Sequence, residues 1–202
     1  RNSESPIPVI SAISPSDCFY TAYEACRVAL KYMTPVIVLS DAYLASGSEP
    51  WLLPKLSKLD KIEVKFAESN GETFRPYIRD ENTLARPWAI PGTPGLEHRI
   101  GGLEKEDVTG NVSYDPDNHQ KMMELREAKV AGITSEMAPT ELYGDTTGDL
   151  LILGWGSTYG SIRTAVKRMH EEGKSVSHAH VRWVNPLPAD LGEIVLKYQK
   201  IL

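Results

Sequence analysis

The stretch DLLILGWGSTYGS, residues 149–161, is an apolar strand that breaks into a glycine-punctuated turn. Five apolar-rich residues, Asp149–Leu153, are too few for a helix and suit a buried strand. After the turn, apolar positions recur at three- and four-residue steps, which predicts a helix over about Tyr159–Glu172, stopped by Gly173. Its buried side is expected to carry Ile162, Ala165, Val166 and Met169, and its opposite side Arg163, Lys167, Glu171 and Glu172. A second strand is expected over roughly Ser175–Trp183. Strand, helix and strand make a right-handed βαβ unit, so the fold class is α/β with parallel sheets. Asn185-Pro186-Leu187-Pro188 then turns the chain into an expected final helix bearing Leu191, Ile194, Val195 and Tyr198.

A second unit of the same kind opens the chain. Residues 8–13 (PVISAI) read as a strand, and Ser14-Pro15-Ser16-Asp17 carries helix-start chemistry: a cap, a proline for the first turn and an acid for the helix dipole. The helix should reach about Met33, with Phe19, Ala22, Cys26, Ala29 or Leu30, and Met33 as its buried stripe. Thr34-Pro35 stops it, and Val36–Ser40 (VIVLS) is composed like a central strand covered on both faces. Two strands and one helix cannot supply that cover, so strands are expected upstream and the sequence is expected to begin inside a domain. One small sheet shared by both βαβ units is the alternative.

Between the units lies a different composition. Residues 55–85 show no sustained period and read as a linker with short elements, including a turn at Ser69-Asn70-Gly71. In PWAIPGTPGLEHRIGGLEKEDVTGN, residues 87–111, glycines alternate with prolines, which specifies a shaped loop rather than a helix or strand. Trp88, Ile90, Leu96, Ile100 and Leu103 offer it apolar surface to bury. Loops of this length inside a domain are usually functional or disordered, and the apolar content favours an ordered one. Its polar cluster Glu97-His98-Arg99 is the candidate site: a histidine titrates near neutrality and an acid and a base flank it. Asp115-Pro116-Asp117 starts a further helix whose stripe runs Met122, Leu125, Ala128-Lys129 and Ile133.

Other candidates carry less. The turn Gly154-Trp155-Gly156 resembles a phosphate cradle, but its spacing is GxGxxxG and no acid closes the next strand to hold a ribose. Tight strand–helix packing explains the glycines equally well, and no Walker lysine is present. His178 and His180 alternate on one face with Arg182, without a third ligand at metal-site spacing; a polar row facing an interface or loop is the plainer reading. Asp41, Ser46 and Ser48 follow a strand's carboxyl end, where α/β ligands bind, yet turn and cap bonding accounts for them. His119 is expected to face solvent.

Hydrophobic residues are 41% and charged residues 24% of the 202, with a net charge of −5. That is ordinary for a globular chain, and no basic run suggests nucleic acid or an anionic membrane as partner. No apolar run approaches the ~20 residues that span a bilayer, and RNSESPIPVI lacks a signal-peptide core. Cys18 and Cys26, eight apart on one helix, are separated by a rise of roughly 12 Å, too far for a disulfide. They read as small core residues of a reduced, cytoplasmic protein, and no cysteine array could hold zinc or an iron–sulfur cluster.

The segments VIVLSDAYLASGSEPW, RPWAIPGTPGLEHRIGGLEKEDVTGNVSYDP, GDLLILGWGSTYGSIRTAV and VSHAHVRWVNPLP, in this order, resemble the alpha subunit of the 2-oxoacid:ferredoxin oxidoreductases, most closely the 2-oxoglutarate type, over a C-terminal portion. The resemblance implies a thiamine-diphosphate enzyme that decarboxylates a 2-oxoacid, passes electrons through a [4Fe-4S] cluster to ferredoxin, and gives the acyl group to coenzyme A. It implies that residues 1–50 end a pyrimidine-binding-type domain and that 51–144 form a linker with the Gly/Pro-rich loop and one helix. Residues 145–202 would be a transketolase C-terminal-like domain, expected to continue past Leu202. The cofactor-activating glutamate and the substrate-carboxylate arginine would lie upstream. Diphosphate, Mg and cluster would belong to a beta subunit in a hetero-oligomer, and the loop would present Glu97, His98 and Arg99 to a shared site. Two other readings remain at this stage, a non-catalytic scaffold subunit and a freestanding nucleotide-binding α/β domain.

Overall fold

The computed structural model describes residues 5–202; the first four residues of the N-terminal stretch tested for a signal-peptide core lie outside the described residues. In chain order the regular elements are β1 (Val9–Ser11), α1 (Asp17–Tyr32), β2 (Ile37–Leu39), α2 (Ala42–Ser46) and α3 (Pro116–Gly132). They continue with β3 (Glu141–Tyr143), β4 (Gly148–Trp155), α4 (Tyr159–Glu171), β5 (Val176–Val181), β6 (Trp183–Asn185), α5 (Leu191–Val195) and β7 (Tyr198–Ile201). The chain divides into two compact units. One joins Cys26–Pro35 with Asp60–Ile133, and the other joins Pro8–Ala25, Val36–Leu59 and Thr134–Leu202.

The second unit holds both sheets. A four-stranded sheet has the order β3-β5-β4-β7, and a three-stranded sheet the order β2-β1-β6. The expected parallel pairs are present: β4 with β5, Leu150 opposite Val176 through Trp155 opposite Val181, and β1 with β2, Val9 opposite Ile37. Neither a separate first sheet nor one shared sheet describes the rest. β6, from the end of the second βαβ unit, turns back as an antiparallel third strand on β1, and β3 adds an antiparallel edge to β5. All six residues of β5 are buried, as a strand covered on both faces requires. Leu151, Ala179 and Tyr198 form the centre of that core, with Leu142, Leu153, Ile194 and Val195 packed against it.

Two sequence expectations are overturned and two others are refined. The final helix stops at Val195, and Tyr198–Ile201 is instead a strand parallel to β4, with Tyr198 opposite Gly148. Helical spacing over so short a run is ambiguous, and the open edge of the eight-residue β4 decides it. The buried face of α1 is Thr21, Ala25, Val28 and Tyr32, while Phe19, Ala22 and Cys26 are exposed; Cys26 is therefore not a core residue. β2 is an edge strand whose Ile37 and Val38 are 40% and 41% exposed, so among the described residues nothing supplies the cover its composition calls for. On α4 the expected stripe holds with one exception: Val166 is buried and Ile162 and Met169 half-buried, while Ala165 is exposed.

In the other unit, α3 begins where expected. Asp115 accepts from the backbone N–H of Asp117 and Asn118 at 2.8 and 2.9 Å, and Pro116 occupies the first turn. Met122 and Ile133 are buried. The 60–115 segment is held by loop pairings: Phe66 beside Trp88, Tyr77 opposite Val108, and Lys105 opposite Val112. Trp88 also donates its indole N–H to Leu30 O at 2.8 Å. Of the apolar residues expected to anchor the 87–111 loop, Leu96 is buried, but Ile90, Ile100 and Leu103 are exposed.

Candidate functional site

The carboxyl ends of the strands in the sheet-bearing unit gather most of its polar chemistry. β4 leaves the sheet at Gly154-Trp155-Gly156. A Cβ on Gly154 would run into Ile162 Cδ1 and come within 3.2 Å of Thr158 Oγ1 and 3.3 Å of His180 Nδ1, so glycine here permits close strand–helix packing. Gly156 has φ +65°, which glycine adopts without strain, and that turn aims its carbonyl at His180. The start of α4 is not a phosphate cradle: Ser157 donates its hydroxyl to the Asp41 carboxylate, which puts a negative charge there. Asp41 also caps α2, accepting from Leu44 N–H at 3.0 Å. Its pKa lies below the ordinary carboxylate range because Ser157 and then the Leu44 N–H hydrogen-bond its charged form.

Of the two readings of the His178–His180 row, the loop-facing one holds: His180 meets the Gly156 carbonyl in the β4–α4 turn. Both rings are buried, at 1% and 4% exposure, and packed edge to face with ring centres 5.2 Å apart. Burial pushes the pKa of both down, that of His180 to about 4, so both are neutral at pH 7. Gly156 O can only accept, so His180 Nε2 carries the proton in their 3.1 Å bond. His180 Nδ1 is then an acceptor, and His178 Nε2–H donates to it at 3.1 Å. This one-way chain locks the β4–α4 turn and leaves no ring nitrogen of His180 for a metal or a proton transfer. Tyr159 covers both rings, 5.6 and 5.0 Å away between centres, and donates its hydroxyl to Glu141 at 2.9 Å. Arg163 reaches the same Glu141 oxygen at 2.9 Å.

The β1 and β2 ends add a cleft of about 220 Å³ lined by Pro15, Ser16, Phe19, Ser48, Glu49 and Trp51. Glu49 accepts from the Ser14 hydroxyl and the Ser16 N–H, which hold its pKa down. Beside it, Asp17 organises the start of α1. It takes Ile13 N–H at 3.1 Å, Thr21 Oγ1 at 2.9 Å and Arg182 Nη2 at 2.7 Å. Arg182 Nε is buried without a partner among the described residues.

Glu97, His98 and Arg99 make no hydrogen bond with one another. Glu97 turns back on its own loop, accepting from Gly95 N–H at 2.9 Å. His98 Nδ1 meets Leu96 O at 2.9 Å, and its ring packs edge-on against Phe74. Arg99 is exposed. His119 does not simply face solvent: its Nδ1 lies 2.7 Å from Glu104. That contact belongs to a cluster that sequence reading missed. Glu104 and Asp107 stand among Arg79, Arg126, Lys121 and His119, with Arg86 and Lys129 close by. The signal for it was Lys129, a cation at a position of the apolar α3 stripe.

Among the described residues no three His, Cys, Asp or Glu side chains could share a metal ion, and no helix is long and apolar enough to cross a membrane. The strand-end polar groups are carboxylates and hydroxyls. The start of α4 faces the Asp41 carboxylate rather than an open row of N–H groups, which disfavours a diphosphate there, and no catalytic step is derived through such a group on this chain.

Against known proteins, the chain is 52% identical over its whole length to the 2-oxoglutarate oxidoreductase subunit KorA of Mycobacterium tuberculosis, covering 31% of that protein. It is 30% identical to the alpha subunit of 2-oxoacid:ferredoxin oxidoreductase 1 of Aeropyrum pernix, over 93% of this chain and 29% of that one. The chain thus spans about a third of the length of these curated relatives. Among solved structures it matches 2-oxoglutarate:ferredoxin oxidoreductase from Magnetococcus marinus, with 2-oxoglutarate, coenzyme A and succinyl-CoA bound. The TM-score is 0.85 at 31% identity, over 97% of this chain and 34% of that one. Residues 1–115 match the family described as pyruvate flavodoxin/ferredoxin oxidoreductase, thiamine diP-binding. That match covers more than half of the 202 residues, and the chain belongs to this family.

Proposed function

We propose that the chain is part of the alpha subunit of a 2-oxoacid:ferredoxin oxidoreductase whose 2-oxoacid is 2-oxoglutarate. The observation that carries this reading is 52% identity, without loss of coverage, to a 2-oxoglutarate oxidoreductase subunit. In the assembled enzyme a beta subunit supplies the diphosphate and Mg sites and the [4Fe-4S] cluster, in the cytoplasm. Thiamine diphosphate supplies the decarboxylation chemistry, the two electrons released pass to ferredoxin, and coenzyme A accepts the acyl group.

Within that assembly the residues described here position rather than react. The neutral His178–His180 chain and Gly154 set the β4–α4 turn, and Asp17 with Arg182 sets the start of α1. The 87–111 loop is a shaped surface for the beta subunit or a shared site, with Glu97 and His98 holding its form and Arg99 facing outward. Domain limits near residues 50 and 144 remain part of this proposal.

The test is co-production of the full alpha subunit with its beta subunit. Reduction of ferredoxin that requires both 2-oxoglutarate and coenzyme A is expected; a complex that turns over pyruvate and not 2-oxoglutarate overturns the substrate. The scaffold reading is separated by His98→Ala in the same complex. Turnover unchanged favours a scaffold loop, and a fall of ten-fold or more, about 1.4 kcal/mol of barrier, favours a loop that shapes the site.

A further inference from the structure

Behind the 87–111 loop, α3 directs Arg126 and Lys129 towards Tyr77, Arg79, Arg86 and Glu104 around a cavity of about 160 Å³. The charges do not balance. Asp107 is shared by Arg79 and Lys121, and Glu104 by Arg126 and His119. Arg86 and Lys129 meet no carboxylate among the described residues. Arg86 donates to Pro76 O at 3.1 Å and lies 4.1 Å over the Tyr77 ring; Lys129 donates to Met33 O at 3.2 Å. Even with Arg79 and Arg126 paired, the cavity wall keeps an excess of positive charge.

Burying cations without counter-charge is expensive, and apolar side chains of similar length would fill the space at less cost. Their mutual repulsion is visible at Lys129: burial, then Arg86, Arg79 and Arg126, bring its pKa down to about 8. A second chamber of about 370 Å³ shares Arg79 and Arg86; its lining adds Arg27, Lys31, Lys61 and Lys65 against Glu63 and Asp80, with Asp80 paired to Lys65, so cations still outnumber carboxylates. Its field draws anions towards the same two guanidinium groups. A guanidinium fork binds a carboxylate or a phosphate through paired N–H···O bonds. The inner cavity is below the roughly 300–1,000 Å³ of sites for drug-sized ligands, which selects a compact anion.

We propose that this cavity binds a compact dianion, a phosphate group or a small dicarboxylate, held by Arg79, Arg86, Arg126 and Lys129. The proposal does not depend on the 2-oxoglutarate reading and is tested by binding rather than turnover.

The test titrates inorganic phosphate and, separately, succinate into the full alpha subunit and into its complex, followed by calorimetry. Saturable binding of one equivalent is expected. Arg86→Met and Lys129→Met should weaken it at least ten-fold, while Lys167→Met on exposed α4 leaves it unchanged. Saturation by phosphate alone identifies a phosphate group; saturation by succinate alone identifies a dicarboxylate. The wild-type protein gives a second readout should either variant fold poorly. Lys129 faces Arg79, Arg86, Arg126 and Glu104, so a bound dianion should raise its pKa, take up protons near pH 8 and bind more weakly above it. Absence of saturable binding by both anions overturns the proposal, as does binding that both substitutions spare. An acidic segment of another chain filling the cavity would appear as the first of these.

Discussion

His180 shows what one buried ring does to a whole chain's response to acid. Its folded pKa, near 4, lies below the ordinary histidine value of about 6.5. Between those values the unfolded chain holds a proton that the folded chain does not, so stability is complete above about pH 6.5 and falls as pH drops towards 4. The slope from such a group is at most about 1.4 kcal/mol per pH unit. Chemical denaturation at pH 7 and pH 5 should give a smaller difference for His180→Gln than for the wild type. An equal difference would mean that the ring titrates alike in the folded and the unfolded chain. The sequence placed His178 and His180 on one face of a strand but said nothing of burial. That depended on Tyr159 folding over them, and Tyr159 was legible only as part of a glycine turn.

At the scale of elements, the strand–turn–helix of 149–171 is where sequence and structure agree most closely, and Gly154 is its tightest joint. Gly154→Ala should destabilise by about 1–3 kcal/mol, because the new Cβ meets Ile162 Cδ1. Ile162→Val removes the methyl it meets and should recover much of that loss, measured by thermal unfolding of the double variant. α1 is the contrary case. Its start was readable from Ser14 to Asp17, yet its apolar residues occupy more than one stripe, and periodicity alone favoured the wrong one. Val28→Ala should cost about 2 kcal/mol, from two methyl groups' burial plus the cavity left behind. Cys26→Ser, on the exposed side, should stay within about 0.5 kcal/mol. Reversed effects would restore the stripe read from the sequence. β7 was illegible for another reason: its pairing with β4 spans some fifty residues, and no local pattern records the partner.

For the molecule as a whole, the βαβ pattern in each half was legible because parallel strands and crossover helices impose their own spacing. The interleaving of segments was not, since β6 joins the sheet begun by β1 only through contacts distant in sequence. The basic cavity was hidden for the same reason: Arg79, Arg86, Arg126 and Lys129 come from two separated stretches. These 202 residues offer neither a metal-ligand triad nor a cysteine set for a cluster among the described positions. On the alpha-subunit reading proposed above, these residues produced alone should show no 2-oxoglutarate-dependent reduction of a viologen dye when thiamine diphosphate, Mg and coenzyme A are added. Sustained turnover by these residues would place the reacting groups here after all.

β2 has a practical consequence for anyone handling these 202 residues by themselves. Its outer edge has no neighbour among the described strands, and Ile37 and Val38 stand open on it. An apolar strand with unpaired backbone groups is a template for another copy of itself. Concentrated samples should scatter light progressively at neutral pH, and Val38→Lys should suppress that scattering while the circular-dichroism spectrum stays the same. Shelf life in solution, rather than melting temperature, is where the exposed edge would first be noticed.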